Sequence, residues 1–357
     1  MQQQINKLNF QGQPFFVGLD VHLKNWSVTI RTHHLKLRTF SMDPSPEQLR
    51  KHLINHYPGG KYYSVYEAGF CGFWIHRDLT RLGIENIVVN PADVPTTHKE
   101  KRRRRDPVDS SKLARELAHG SLTSIYIPDP FHEDLRALCR LYHKSVSHRT
   151  RLKNRIRSFL YSNNVPIPAR TEVFPWSGRF VSWLEALEFG SAPAKSYLQY
   201  CLNELHGTRT QTKTLLKELR ILSQAPPIRK VVHELLRSVP GVGFITSMTF
   251  YAEIMDMNRF RSFDQLASFA GLVPDTDSSG ERDTDTGLTF RRNRHLRHML
   301  IESAWIAARF DPALTQKYHE LLCRMKKQQA IIRIAKKLLS RMRYVWMEET
   351  PYVKAVV

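Results

Sequence analysis

The chain has 357 residues, with 54 Lys+Arg against 33 Asp+Glu and a formal net charge of +21, so the expected partner is a polyanion such as nucleic acid rather than an acidic small molecule. It has no uninterrupted apolar span of transmembrane length, and its polar start MQQQINKLNF is unlike a secretory signal; the expectation is no membrane and a cytoplasmic, nucleoid-associated location. Cys71, Cys139, Cys201 and Cys323 are widely spaced without C-x-x-C, which argues against a zinc site or a disulfide framework, and they read as reduced, mostly buried thiols. The sixteen histidines also lack zinc spacing and read as polar or phosphate-facing residues.

In chain order, the apolar run 15–19 ends in Asp20 and predicts a first strand, followed by strands at 26–31 and 35–40. Leu49, Leu53 and Ile54 have helical spacing within 45–57, after the cap-like Asp43-Pro44. A strand at 62–66 leads straight into Glu67, a helix covers 73–82, and a strand covers 84–89. The order βββαβαβ followed by a helix, with acids at the ends of the first and fourth strands and on the last helix, is the layout of an RNase H-like domain. Residues 1–127 are assigned to it.

The last helix carries the sharpest local signal. In RRRRDPVDSSKLA, Asp106 and Asp109 are three residues apart and share one helical face, with Pro107 suited to the first turn and Leu113, Ala114 and Leu117 forming an apolar face behind. Taken alone, the pair also fits an N-cap and a first-turn charge, and Asp20 alone also fits a turn residue. With Glu67, the four carboxylates together form a hard-oxygen site suited to Mg²⁺.

Beyond Pro128-Asp129-Pro130 the pattern becomes helical. Residues 128–227 are read as a helical, coiled-coil and oligomerisation segment, with long helices at 133–162 and 194–222 separated by an irregular linker, 166–191, that contains a short helix. The first helix carries Arg149, Arg151, Lys153, Arg155 and Arg157 with almost no neighbouring acids, which favours a phosphate-contacting surface over a solvated face. Residues 228–357 are read as a mainly helical third domain. Its SVPGVGF stretch has the form of a helix-hairpin-helix, in which Gly241 and Gly243 allow a sharp turn and present amides to a phosphate; an ordinary helix turn is the plainer alternative. Further on, Ser278-Ser279-Gly280 is read as a polar loop surrounded by Arg282, Arg291, Arg292, Arg294 and Arg297, where a hydroxyl could act as a nucleophile. Common loop chemistry explains the same residues.

The ordered set FVGLDVH, YEAG, D-x-x-D with LA close behind, VPGVG, F-x-S-x-x-x-L-A-x-x-A-G-L-V-P, SSG and R-x-x-x-L-R-x-x-L resembles the DEDD-type transposases of the insertion sequence 110 family, and is similar to the pilin-gene invertases that share that architecture. The resemblance spans nearly the whole chain. It implies a RuvC-like domain, a coiled-coil segment and a C-terminal domain with a nucleophilic serine. By it Asp20, Glu67, Asp106 and Asp109 are the DEDD acids and Ser279 is the nucleophile, with Ser278 as its rival. It further implies Mg²⁺, donor and target double-stranded DNA, a guide (bridge) RNA and a homo-oligomer, dimer or tetramer. Two departures stand out: Ser110 where the family often has alanine, and an acidic stretch with Glu281, Asp283 and Asp285 after Ser279. A RuvC-like nuclease or junction resolvase without a covalent intermediate remains the alternative enzyme, and a nucleic-acid-binding architectural protein the alternative outside catalysis.

Overall fold

The computed structural model describes residues 10–95, 106–279 and 282–354, without the side chains of 275–279 and 282–286. It falls into two compact units that divide between Ile127 and Pro128. The first is a mixed α/β unit, and the second is helical apart from one hairpin.

In the first unit, strands β1 (Pro14–Val21), β2 (Trp26–Arg31), β3 (Lys36–Met42), β4 (Lys61–Glu67) and β5 (Glu85–Val89) form one sheet in the order β3-β2-β1-β4-β5. The β1–β2 and β2–β3 pairs are antiparallel, whereas β1–β4 and β4–β5 are parallel. Alternation along each strand separates two faces. Phe15, Val17 and Leu19 of β1, with Trp26, Val28 and Ile30 of β2, turn to one side and pack with Leu49 and Leu53 of helix α1 (Pro46–His56) and Ile75 and Leu79 of α2 (Trp74–Arg81). Ser45 caps α1 by accepting from the amide of Gln48. The other face carries helix α3 (Asp106–Ala118), through Leu113 packed with Val65, Val89 and Val94.

The second unit begins with α4 (Pro130–Ser162), capped by Asp129, and α6 (Ala192–Leu222); between them lies the short α5 (Gly178–Glu185). Leu152, Ile156 and Leu160 of α4 pack with Leu198, Leu202 and Leu205 of α6, while Leu135 packs in the same cluster as Leu219. The start of one helix therefore lies beside the end of the other, and the pair is antiparallel within a single chain. A buried bond between the Ser145 and Thr212 hydroxyls, 2.8 Å long, pins its middle.

An α turn (Pro226–Arg229), a π segment (Lys230–Leu235) and a 3₁₀ turn (Leu236–Ser238) lead to α7 (Phe244–Ile254) and α8 (Phe263–Ala270). The hairpin β6 (Pro274–Ser279)–β7 (Arg282–Leu288) follows, then α9 (Arg294–Phe310), α10 (Pro312–Leu322) and α11 (Lys327–Met347). Leu300 and Ala304 of α9 with Ile334 and Leu338 of α11 form the centre of this core. Glu253 of α7 is only 1 % exposed, and its carboxylate accepts two bonds from Arg140 of α4 (2.7 and 2.8 Å) and one from Asn293, the N-cap of α9 (2.7 Å). A buried carboxylate is tolerated because its oxygens are answered in this way, and the network ties α4 to the root of the hairpin. Among the described residues, no helix is long and apolar enough to cross a membrane.

Two expectations change here. Ser278 and Ser279 lie in a strand, not a loop: Ser279 pairs with Arg282 at the tip of the hairpin, beside Gly280 and Glu281, which lie outside the described residues. The thiols also divide, with Cys139 and Cys201 buried and Cys323 exposed.

Candidate functional site

The site begins with how closely α3 lies on the sheet. Gly18 sits on the face opposite Val17 and Leu19, and a Cβ there would fall 2.0 Å from the carbonyl oxygen of Ser110 and 2.5 Å from the amide nitrogen of Ala114. Only a residue without a side chain permits that approach. The Ser110 hydroxyl is fully buried and shares hydrogen bonds with Ser27 (3.1 Å) and Thr29 (2.9 Å), and Thr29 in turn with Thr39 (2.9 Å). Ser110 is thus a polar rivet between α3 and β2.

This docking brings the acids together. Leu19 pairs with Tyr66 across the parallel strands, so Asp20 and Glu67, one residue further on, lie at the same end of the sheet. The start of α3 holds Asp106 and Asp109 there. Nε2 of His22 lies 3.3 Å from Oδ2 of Asp20 and 3.6 Å from Oδ1 of Asp106, and one donor atom from each of the three falls within 4.8 Å of the others. Nζ of Lys112 lies 3.5 Å from Oε1 of Glu67 and 3.6 Å from Oδ1 of Asp109. Burial raises the pKa of Asp20 above the ordinary carboxylate value; His22 opposes this, and the Asp106 and Asp109 carboxylates reinforce it.

The carboxylate oxygens of this set fit a hard divalent ion. Two ligands on opposite sides of Mg²⁺ stand about 4.2 Å apart, close to the spread of the Asp20, His22 and Asp106 donors, and a set of like charges favours a bound cation. The sequence reading missed His22 and Lys112. The signals were present: His22 is two residues beyond Asp20, hence on the same side of an extended segment, and Lys112 is one helical turn beyond Asp109.

Other expected site residues lie in the second unit. Ser279 is at the tip of the hairpin, whereas Arg291, Arg292, Arg294 and Arg297 follow its root, separated from the tip by roughly 20 Å of strand at ~3.4 Å per residue. Arg282 is paired with Ser279 at the tip, but these four arginines do not ring it as the loop reading implied. Arg297 donates to the carbonyl of Thr289 and packs with Arg292 against Gly271, so these two brace the root, while Arg294 is exposed.

Gly241 has φ +82°, and a Cβ there would meet the Ser303 carbonyl oxygen at 2.4 Å, so close packing on α9 is one reason for glycine at that position. Gly243 is the N-cap of α7, with nothing within 4 Å of a Cβ. The basic residues of α4 alternate faces because their two-residue spacing turns about 200° on a helix. Lys153 and Arg157 stack over Trp176, at 5.2 and 5.6 Å from the ring centroid. On the other flank, Arg155 and His148 both meet Glu204 of α6, at 3.2 and 2.8 Å, an acid that only the tertiary fold supplies, while Arg151 is exposed and Arg149 is half-buried.

A family profile described as a transposase, of the DEDD IS110 type, matches residues 17–163, and one described as Transposase IS116/IS110/IS902 family matches residues 233–320. Among curated proteins, "Putative transposase y4rJ" of Sinorhizobium fredii is 30% identical over 311 residues, covering 78% of this chain and 76% of its own. "Putative transposase y4qE" of the same organism is 31% identical over 71% of this chain and 60% of its own length. The transposase for insertion sequence element IS1111A of Coxiella burnetii is 28% identical over 67% of this chain and 64% of its own. The chain thus spans less than two thirds of the length of the last two. The profile over residues 17–163 makes this a DEDD-type protein; the chain belongs to the IS110 family of transposases.

Proposed function

We propose that the protein is a DNA transposase that cuts and rejoins strands of an insertion sequence through a covalent serine–DNA link, under the direction of a bridge RNA. The observation that carries this reading is the gathering of Asp20, Asp106, Asp109 and Glu67 at one sheet end in a chain of this family. In this reading residues 1–127 are a RuvC-like, RNase H-like catalytic domain, residues 128–227 a coiled-coil and oligomerisation segment, and residues 228–357 the serine-bearing transposase domain. The protein works in the bacterial cytoplasm as a dimer or tetramer, because strands of two duplexes are exchanged.

Mg²⁺ bound within the set Asp20, Glu67, Asp106 and Asp109 would supply the charge that polarises the phosphate and stabilises the leaving oxygen. Ser279 gives up its hydroxyl proton as Oγ attacks phosphorus; the bond from phosphorus to the departing deoxyribose oxygen breaks, and that oxygen takes a proton. One phosphate ester replaces another, so a strand hydroxyl can later attack the phosphoserine, restore the diester and return the serine without hydrolysis. Base pairing to a guide would carry sequence readout, leaving Arg151, Arg149, Lys153, Arg155, Arg157, Arg291, Arg292, Arg294, Arg297 and the turn at Gly241 and Gly243 to bind backbone phosphates.

Ser279→Ala is expected to stop both cleavage and adduct formation, while Ser278→Ala retains part of each. Mass spectrometry of a nuclease-digested adduct made with a suicide DNA substrate locates the nucleotide-bearing peptide. A label on Ser278, or wild-type recombination by Ser279→Ala, would refute the assignment, and metal-dependent cutting with no adduct in any variant would favour the resolvase.

Nucleic-acid affinity is expected to fall steeply with salt. Neutralising Arg149, Arg151, Lys153 and Arg155 together should flatten the plot of log affinity against log salt by about 0.9 for each duplex phosphate that the protein no longer neutralises. An unchanged slope would mean that these side chains serve only Glu204, Trp176 and solvent.

A further inference from the structure

Two basic side chains enter the acidic site, and they differ. Between Asp20 and Asp106 stands His22, whose neutral ring nitrogen is itself a metal ligand. Between Glu67 and Asp109 stands the ammonium of Lys112, which carries a fixed charge and offers no lone pair while protonated. The Lys112 side chain is only 8 % exposed, whereas those of Glu67 and Asp109 are about one-third exposed, at 33 and 37 %. Its side chain is almost wholly buried, and its Nζ lies within ion-pair distance of both carboxylates. A surface lysine could swing into water when a divalent ion arrives, but this one is confined by its burial.

A divalent ion placed between Glu67 and Asp109 would therefore stand against a fixed ammonium within a few ångströms, in surroundings that screen charge less than water does. Between Asp20 and Asp106 the basic group is an imidazole, whose ring nitrogen can itself join the ligands. We propose that the acidic site takes one divalent ion, on the Asp20, His22 and Asp106 side, and that the Lys112 ammonium fills the place a second ion would take between Glu67 and Asp109. Lys112 is then a positioning residue that sets the ion count and holds Glu67 and Asp109 in place. This rests on the metal-site reading proposed above.

The test is direct counting of Mn²⁺ bound to the full chain, by the electron paramagnetic resonance signal of the free ion. Wild type should saturate at one Mn²⁺ per chain. Lys112→Met, which keeps the length of the stem and removes the charge, should saturate at two, and Lys112→Arg should return the count to one. Asp20→Asn should weaken Mn²⁺ binding more than tenfold, whereas Glu67→Gln should change it less than threefold. This comparison leaves Lys112 intact and decides the matter even if Lys112→Met does not fold. Two ions in wild type, one ion in folded Lys112→Met, or equal losses in Asp20→Asn and Glu67→Gln would overturn the role of Lys112. Wild type that binds no Mn²⁺ would defeat the metal reading itself.

Discussion

Asp20→Asn or Asp106→Asn should lower DNA strand cleavage by about a thousandfold or more while leaving a folded protein that still binds nucleic acid. Asparagine keeps the shape of the side chain but removes the charge that holds a divalent ion, and Lewis-acid stabilisation of a phosphoryl transition state is worth several kcal/mol, with about 1.4 kcal/mol for each tenfold in rate. Binding should persist because the chain's excess of Lys and Arg, not these acids, attracts phosphates. Stability should not fall either. The pKa of Asp20 is raised by burial, with His22 opposing and the Asp106 and Asp109 charges adding to it, so the ionised side chain is a burden on the metal-free fold and its neutral isostere relieves that burden. Thermal melts in EDTA beside cleavage assays in Mg²⁺ separate the two effects. Cleavage at the wild-type rate by either variant would refute the site, and a large drop in melting temperature would show that the acid serves the fold.

Gly18→Ala should be the most damaging single-methyl change in the first unit. The strand backbone accepts alanine, but its Cβ would lie 2.0 Å from the Ser110 carbonyl oxygen and 2.5 Å from the Ala114 amide nitrogen, and neither is a flexible side-chain end that can turn away. Overpacking against backbone costs about 3 kcal/mol, at the upper end of its usual range. Lifting α3 by even about 1 Å would move Asp106 and Asp109 off the sheet end and lower cleavage by about a hundredfold in whatever protein remains folded. The control is Gly207→Ala. That glycine is exposed within α6 with nothing within 4 Å of a Cβ, so alanine there should stabilise by about 0.5–1 kcal/mol. Urea unfolding midpoints measure both. An unchanged midpoint for Gly18→Ala would mean that α3 does not rest on β1 at this point.

The first unit was legible because its local patterns and its fold agree. Phe15, Val17 and Leu19 alternate with Phe16, Gly18 and Asp20, and a period of two can only place the first set on one face and the second on the other. The apolar spacing of Leu135, Leu138 and Leu141, and of Leu198, Leu202 and Leu205, likewise announced two long helices. The hairpin escaped notice for the converse reason. PDTDSS and RDTDTGL alternate polar residues with one another, so no apolar period distinguishes a strand from a loop, and pairing alone makes them one.

What the sequence determined by itself is therefore what local period and residue type carry: the succession of strands and helices in the first unit, the positions of the four carboxylates and an excess of positive charge suited to a polyanion. What only the tertiary structure decided is which charges answer which. Glu204 meets Arg155 from 49 residues away and Lys112 meets Glu67 from 45 away, while the same lysine meets Asp109 within one helical turn. Coulomb energy depends on separation and burial in space, and neither can be read from spacing along the chain.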